Sequence, residues 1–196
     1  MTSQRPSQAA ALKTPTPQLS LRLFGWLGFA SFVVALDQIT KFIVVSELAL
    51  WDRVQVLPFF AWVRYHNPGA AFNFLANSGG WQRWFFVCLA LGFSAYLIWE
   101  LSRLAKHEKV LGWVFSLILG GAIGNMLDRW INGYVVDFIL VHYQVHEFPA
   151  FNIADSALFC GAALWILTML IEYRAEKAQI QRRGELDERD KTEIER

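Results

Sequence analysis

Charged residues are scarce in this chain, and their scarcity excludes an ordinary soluble domain. Only 18% of the 196 residues are Asp, Glu, Lys or Arg, and 55% are hydrophobic. Soluble globular domains carry about 25% charged residues. The net charge of +1 argues against a nucleic-acid-binding surface. The length suits a single domain.

Residues typical of covalent and metal chemistry are also few. The two cysteines, Cys88 and Cys160, both lie in apolar segments. We expect them to be small buried hydrophobic residues, which excludes a disulfide framework or a cysteine metal site. The sequence contains neither a His-Glu-x-x-His zinc motif nor a Gly-x-Ser-x-Gly nucleophile motif. No metal and no cofactor are therefore expected.

The histidines give little support for a metal site. All four are predicted to lie in loops, at His66, His107, His142 and His146. His142 and His146, with Glu147, have a helix-like ligand spacing, but Pro149 follows too closely for a helix. A surface role for these histidines is the expectation.

Long apolar segments predict an all-α polytopic membrane protein with four transmembrane helices. A helix that crosses a bilayer needs about 20 mostly apolar residues. Four segments meet this requirement, at about 23–45, 81–100, 110–128 and 152–172. Together with the loops at 46–80 and 129–151, they form one membrane domain over residues 21–173.

The distribution of Lys and Arg predicts the orientation. Basic residues concentrate in the N-terminal tail, between the second and third segments, and in the C-terminal tail. The positive-inside rule therefore places both termini in the cytoplasm and both long loops outside. The tail at 1–20 is predicted to be disordered, and the charged tail at 174–196 to be a solvated cytoplasmic segment.

The first outer loop has the pattern of a small extracytoplasmic β-sheet. Residues 54–57 and 60–65 are predicted as short strands separated by Pro58. Asn67, Pro68 and Gly69 follow in an order that favours a tight turn. A sheet at the outer surface is a hypothesis that rests on this pattern alone.

Acidic and amide side chains occur in or beside the apolar segments, where ionisable groups are costly and mark candidate functional sites. The predicted topology brings them all to the outer side of the membrane. They are Asp37, Asn125, Asp128, Asp137 and Asp155, and the basic side chain of Lys41 is found with them.

Structural roles are alternatives for several of these residues. Asp37 and Lys41 are four apart and can form an ion pair on one helix face. Asp128 and Arg129 can simply end the third helix, and Asn152 can cap the fourth.

The glycines at 120–124 are most simply explained by close helix packing. Asp137 and Asp155 are harder to explain structurally, because neither has a Lys or Arg next to it in sequence. Arg129 can reach them only by folding back.

Two carboxyls that share a site cannot both ionise cheaply, so one holds a proton while the other is charged. Such a pair can activate a water with one member and protonate the leaving group with the other. This is the chemistry of an aspartic peptidase. Spacing alone does not choose between Asp128 and Asp137 as the partner of Asp155.

Five motifs in register resemble the lipoprotein signal peptidase (signal peptidase II) family. They are Asp37-Gln38-Ile39-Thr40-Lys41, Asn67-Pro68-Gly69-Ala70-Ala71-Phe72, Gly124-Asn125-Met126-Leu127-Asp128-Arg129, Val135-Val136-Asp137-Phe138 and Phe151-Asn152-Ile153-Ala154-Asp155. The resemblance covers about residues 21–173.

The resemblance implies an aspartic endopeptidase of the bacterial inner membrane. It would remove signal peptides from prolipoproteins by cutting before a diacylglyceryl-modified cysteine. Its expected partners are these prolipoproteins, membrane lipid and globomycin-type inhibitors, with no nucleic acid, and a monomer is expected.

The resemblance also assigns the site, near the periplasmic face. It makes Asp137 and Asp155 the catalytic pair. The supporting and substrate-binding positions that it implies are Asn67, Asn125, Asp128, Arg129, Asn152, Asp37, Lys41, Gly121 and Ala154.

Two other functions compete with a peptidase. A proton-coupled transporter also uses intramembrane aspartates, but its site is expected near the midplane, between inverted repeats. A scaffold that packs helices through the glycine face leaves the aspartates unexplained.

Overall fold

The structure, a computed structural model, describes residues 21–69 and 80–194, and the side chains as far as residue 185. The described residues form four helices and four strands. They are α1 (Leu21–Glu47), β1 (Arg53–Leu57), β2 (Phe60–Asn67), α2 (Trp81–Arg103), α3 (Lys109–Asn132), β3 (Val135–Tyr143), β4 (His146–Glu147) and α4 (Ile153–Ile194). The predicted disorder at 1–20 lies outside the described residues.

The expectation of four membrane-spanning helices is confirmed by length and composition. Each helix contains a segment long and apolar enough to cross a bilayer. The fourth helix continues well past the predicted span and ends only at Ile194. Its charged part has the composition of a solvated helix.

Helix α3 is the centre of the bundle. Within its apolar span 56% of the residues are buried, against 17–28% in the other three helices. Its buried side chains, which include Val114, Phe115, Ile118 and Leu119, pack with residues of α1 and α2. The outward surfaces of the other helices remain apolar, as expected of helices that face lipid.

Glycines let the helices approach α3 closely. A Cβ on Gly120 would lie 2.7 Å from Val33 Cβ and 2.9 Å from the carbonyl oxygen of Ala30, both in α1. A Cβ on Gly161 of α4 would lie 2.6 Å from Ile118. The close-packing role predicted for the glycines at 120–124 is therefore confirmed for Gly120.

An antiparallel sheet covers the end of the bundle where α1 and α3 end and where α2 and α4 begin. Its strand order is β1-β2-β3-β4. Strands β2 and β3 pair over most of their length, with Tyr65 opposite Asp137 and Asn67 opposite Val135. We call this end of the bundle the sheet end.

The segment predicted as the second outer loop, 129–151, begins later than predicted and contains a strand that was not predicted. Helix α3 continues to Asn132, and residues 135–143 form the longest strand of the sheet. The strand forms because its apolar run pairs with β2, which is some 70 residues earlier in the chain. The sequence of this segment alone does not show that it pairs with a strand so far away in the chain.

The expectation that both cysteines are buried is also wrong. Cys88 and Cys160 are free thiols on exposed surfaces of α2 and α4. An apolar residue is buried in a soluble protein, whereas a membrane helix turns apolar residues outward to lipid. Both cysteines lie within spans apolar enough to face lipid.

Gly120→Ala is expected to destabilise the bundle, because its methyl group would collide with Val33 and with the backbone of Ala30. Overpacking of this kind costs about 1–3 kcal/mol. Gly92→Ala in α2 is the matched control, since nothing lies within 4 Å of its Cβ position. Thermal unfolding in detergent should show a lower midpoint for Gly120→Ala only. Equal midpoints for the two variants would contradict the packing account.

Candidate active site

The buried ammonium of Lys41 lies at the base of the site. Lys41 is 3% exposed although it carries a full charge. Its Nζ lies 2.7 Å from Asp37 Oδ2, 3.0 Å from Asp128 Oδ2 and 3.1 Å from Asn125 Oδ1. Pairing with two carboxylates offsets the cost of burying the ammonium. The predicted ion pair of Asp37 and Lys41 is therefore present, and Asp128 extends it to α3.

Asp37 connects α1 to the first turn of α4. It is fully buried, and its Oδ1 accepts a hydrogen bond of 2.9 Å from the backbone N–H of Ala154. A Cβ on Gly124 would lie 2.8 Å from Asp37 Oδ2. Glycine at 124 therefore makes room for the carboxylate between α1 and α3.

Gly121 and Ala154 keep α3 and α4 in close contact beside this carboxylate. A Cβ on Gly121 would collide with the carbonyl oxygen of Ala154 and would lie 2.8 Å from Leu158 Cγ. Ala154 is itself fully buried. Small residues at both positions let the first turn of α4 lie directly against α3.

Asp128 connects the end of α3 to strand β3. Its Oδ2 accepts a hydrogen bond of 3.0 Å from the backbone N–H of Val136. This bond holds the strand one residue before Asp137. Asp128 is thus fully engaged with Lys41 and with the strand, which gives it a structural place distinct from that of Asp137.

Asp137 faces two side-chain amides. Asn152 Nδ2 donates to Asp137 Oδ1 at 2.8 Å, and Asn67 Nδ2 donates to Asp137 Oδ2 at 3.1 Å. Asn67 reaches the carboxyl from the end of β2, and its own Oδ1 accepts from the N–H of Gly69. The predicted Asn-Pro-Gly turn is thereby fixed as far as Gly69, beyond which the next residues lie outside the described chain.

Asn152 and Asp155 form the N-terminal cap of α4. Asn152 Oδ1 accepts from the N–H of Asp155 at 2.9 Å, and Asp155 Oδ2 accepts from the N–H of Asn152 at 3.2 Å. This reciprocal pair is a capping box. Since Asn152 also donates to Asp137, one residue contacts both acids.

Asn125 completes the connection between Lys41 and Asp155. Its Oδ1 accepts from Lys41 and from Asn152, which leaves its Nδ2 to donate to Asp155 Oδ1 at 2.7 Å. The amide orientation is determined by these charged neighbours. Asn125 therefore presents a donor to Asp155.

Arg129 folds back over the site and does not extend outward. Its Nη2 donates to the carbonyl oxygen of Gly69 at 2.7 Å, and its guanidinium lies 5.0 Å from the centre of the Phe86 ring. Its Nε is buried and has no hydrogen-bond partner within the described part of the chain. Its charge interacts with both Asp155 and Asp137.

The surroundings of Asp137 favour its neutral form. Burial, followed by the nearby charge of Asp155, raises the pKa of Asp137 to about 7 from 3.8. The hydrogen bonds from Asn67 and Asn152 and the charge of Lys41 act in the opposite direction but are weaker. No ion pair reaches Asp137 among the described residues. One proton can therefore stay on this pair of acids near neutral pH.

Every site residue named from the sequence lies in the described part of the chain, and contacts at the sheet end join all of them. Sequence reasoning missed Gln38, whose amide nitrogen lies between the carboxylates of Asp37 and Asp128. A polar residue beside Asp37 within an apolar helix was the signal that could have identified it.

The expectation for the histidines is wrong in part. His66, His142 and His146 lie in strands, and His142 is only 9% exposed. His66 stacks on Tyr134, with ring centres 3.8 Å apart. Within residues 21–69 and 80–185, no three His, Cys, Asp or Glu side chains group as metal ligands.

The fold and the site together define the class of protein, a helical membrane protein with a buried, enzyme-like cluster of acids and amides. The family model for signal peptidase (SPase) II matches residues 29–171. The chain belongs to the signal peptidase II family, which makes it a membrane protease.

Relatives and solved structures agree with this membership. The lipoprotein signal peptidase of Acinetobacter baumannii is 50% identical over 153 residues, covering 78% of this chain and 87% of the relative. That of Alteromonas mediterranea is 47% identical over 146 residues, covering 74% and 79%. A solved bacterial membrane enzyme, 33% identical, superposes with a TM-score of 0.69 and covers 76% of this chain and 90% of that one.

The raised pKa of Asp137 predicts a pH-dependent stability. A carboxyl whose pKa rises from 3.8 to about 7 on folding binds its proton more tightly in the folded protein. Stability should therefore fall as the pH rises between these two values, by on the order of 4 kcal/mol. Asp137→Asn has no ionisable carboxyl at this position and should not lose this stability as the pH rises. In detergent, the unfolding midpoint of this variant minus that of the wild type should increase from pH 4 to pH 7.5. A difference that stays constant with pH would contradict the raised pKa of Asp137.

Proposed function

We propose that this protein is an aspartic endopeptidase that uses Asp137 and Asp155 to hydrolyse one peptide bond of a prolipoprotein. The bond lies just before a diacylglyceryl-modified cysteine, so that the reaction releases the signal peptide. The observation that carries the proposal is the contact of Asn152 with both carboxyls, through its side-chain amide to Asp137 and through its backbone N–H to Asp155.

The proposed mechanism needs one proton between the two acids. The ionised acid takes a proton from a water, which attacks the scissile carbonyl, and the protonated acid then donates to the leaving amide nitrogen. The pKa of about 7 at Asp137 supports this arrangement, because the pair then holds one proton near neutral pH. Neither a metal nor a covalent intermediate takes part.

Arg129 is suited to hold the substrate. Its Nε is a buried donor without a partner in the described residues, and its guanidinium is already fixed by Gly69. A donor aimed at the scissile carbonyl stabilises the negative charge that develops there. Asn125 and Asn152 would instead orient the two acids.

The position of the site at the sheet end supports a substrate that is partly in lipid. The site lies where α3 gives way to β3 and where α4 begins. A transporter site would lie closer to the middle of the helices. Lipid chains can stay in the bilayer while the peptide reaches the acids from the surface.

The remaining parts of the proposal concern location and partners. The enzyme lies in the bacterial inner membrane with both termini in the cytoplasm and the sheet end toward the periplasm, as the distribution of Lys and Arg supports. The proposed partners are prolipoproteins, membrane lipid and globomycin-type inhibitors, and the proposed active form is a monomer.

Asp137→Asn and Asp155→Asn are each expected to lower the cleavage rate at least about 10³-fold, because either change removes one half of the proton transfer. The measurement is cleavage of a purified lipidated precursor in detergent, with folding checked by thermal unfolding. Asp52→Asn is the matched control, since the Asp52 carboxylate only caps an exposed turn. A folded Asp155→Asn variant with wild-type activity would refute the proposed mechanism.

Chelation of metals is expected to leave the activity unchanged. Water activation by two carboxyls requires no Lewis acid. The same cleavage assay, run after dialysis against a strong chelator, measures this. Loss of activity that added zinc or magnesium restores would overturn the two-acid mechanism.

A further inference from the structure

Gln38 occupies the space between the two carboxylates that bind Lys41. Its Nε2 lies 3.2 Å from Asp37 Oδ2, 3.1 Å from Asp128 Oδ1 and 3.1 Å from the carbonyl oxygen of Gly124. All three neighbours are acceptors, so the amide must present its nitrogen and not its oxygen. The residue thereby joins α1 to the end of α3.

The two carboxylates hold the backbone directly in front of the catalytic pair. Asp37 Oδ1 binds the N–H of Ala154, which precedes Asp155. Asp128 Oδ2 binds the N–H of Val136, which precedes Asp137. Each acid therefore depends on a carboxylate that is one residue away through the backbone.

Gln38 binds the other oxygen of each carboxylate. It faces Asp37 Oδ2 while Ala154 binds Oδ1, and it faces Asp128 Oδ1 while Val136 binds Oδ2. Lys41 attracts both carboxylates, but an ammonium is a compact point charge with rotatable donors. The planar amide of Gln38 is better able to fix which oxygen points toward each backbone N–H.

We propose that Gln38 is a positioning residue that sets both acids at once, by orienting the carboxylates of Asp37 and Asp128. This inference rests on the proposed catalytic roles of Asp137 and Asp155. It predicts that changes at Gln38 alter kcat more than KM, because the substrate itself is not touched.

Gln38→Glu tests the role with almost no change in shape. At neutral pH the new carboxylate would place negative charge against two carboxylates and a carbonyl oxygen, with Lys41 as the compensating charge in the cluster. We expect kcat to fall at least about tenfold at pH 7.5 because the acids are displaced. Protonation of Glu restores an O–H donor, so the ratio of mutant to wild-type kcat should rise as the pH falls to 5.5.

Gln38→Met and Thr40→Val complete the design. Methionine keeps the side-chain volume and removes the N–H donor without adding charge. The kcat of Gln38→Met should therefore fall less than that of Gln38→Glu, and the fall should not depend on pH. Within the described residues the Thr40 hydroxyl donates to carbonyls of its own helix alone, and Thr40→Val should retain wild-type kcat. The substrate is the purified lipidated precursor throughout.

The outcomes separate this role from a general structural one. Wild-type kcat in Gln38→Met, or a Gln38→Glu ratio that does not change with pH, would overturn the proposal. Should Gln38→Glu fail to fold at pH 7.5, the kcat of Gln38→Met decides. An active Asp155→Asn variant would instead refute the proposed aspartic peptidase mechanism, independently of the results for Gln38.

Discussion

The site depends on one buried cation. Lys41 is almost fully shielded from solvent, and its charge is compensated by Asp37 on its own helix and by Asp128 on α3. Removing one partner from such a cluster leaves an uncompensated buried charge, which costs about 3–5 kcal/mol. The pair of helices is therefore held in one relative position at the depth of the site.

The hydrogen bonds of the site extend outward from the Lys41 ammonium. The carboxylates around Lys41 engage the backbone N–H groups of Ala154 and Val136, and Asn125 carries the network on to Asp155. Side-chain amides then donate to the two outer acids, and Arg129 lies over the site with its charge acting on both of them. Among the described residues no cation forms an ion pair with Asp137 or Asp155, and burial lets Asp137 hold a proton near neutral pH.

Much of the helix bundle, and of the polar network around Lys41, can be predicted from short-range sequence patterns. Four apolar runs predict the helices, the spacing of Asp37 and Lys41 predicts their ion pair, and an asparagine before a helix predicts the cap made by Asn152. Each of these interactions joins residues that are at most four apart in sequence or lie within one helix. Such signals are visible in a single chain.

The rest depends on contacts between distant segments. The pairing of β2 with β3, which presents Asp137, joins residues some 70 positions apart. The choice of Asp137 over Asp128 came from family resemblance, whereas the structure gives it a physical basis, because Asp128 is occupied by Lys41 and Val136. Gln38 was missed since its three acceptors lie in two helices.

The separation of the Asp137 and Asp155 carboxyls, measured in a crystal structure that resolves ordered water, tests the central claim most directly. The account predicts one water within hydrogen-bond distance of an oxygen from each acid, since a single molecule must receive help from both. Carboxyls too far apart to share one water, in the free enzyme and with an inhibitor bound, would contradict it.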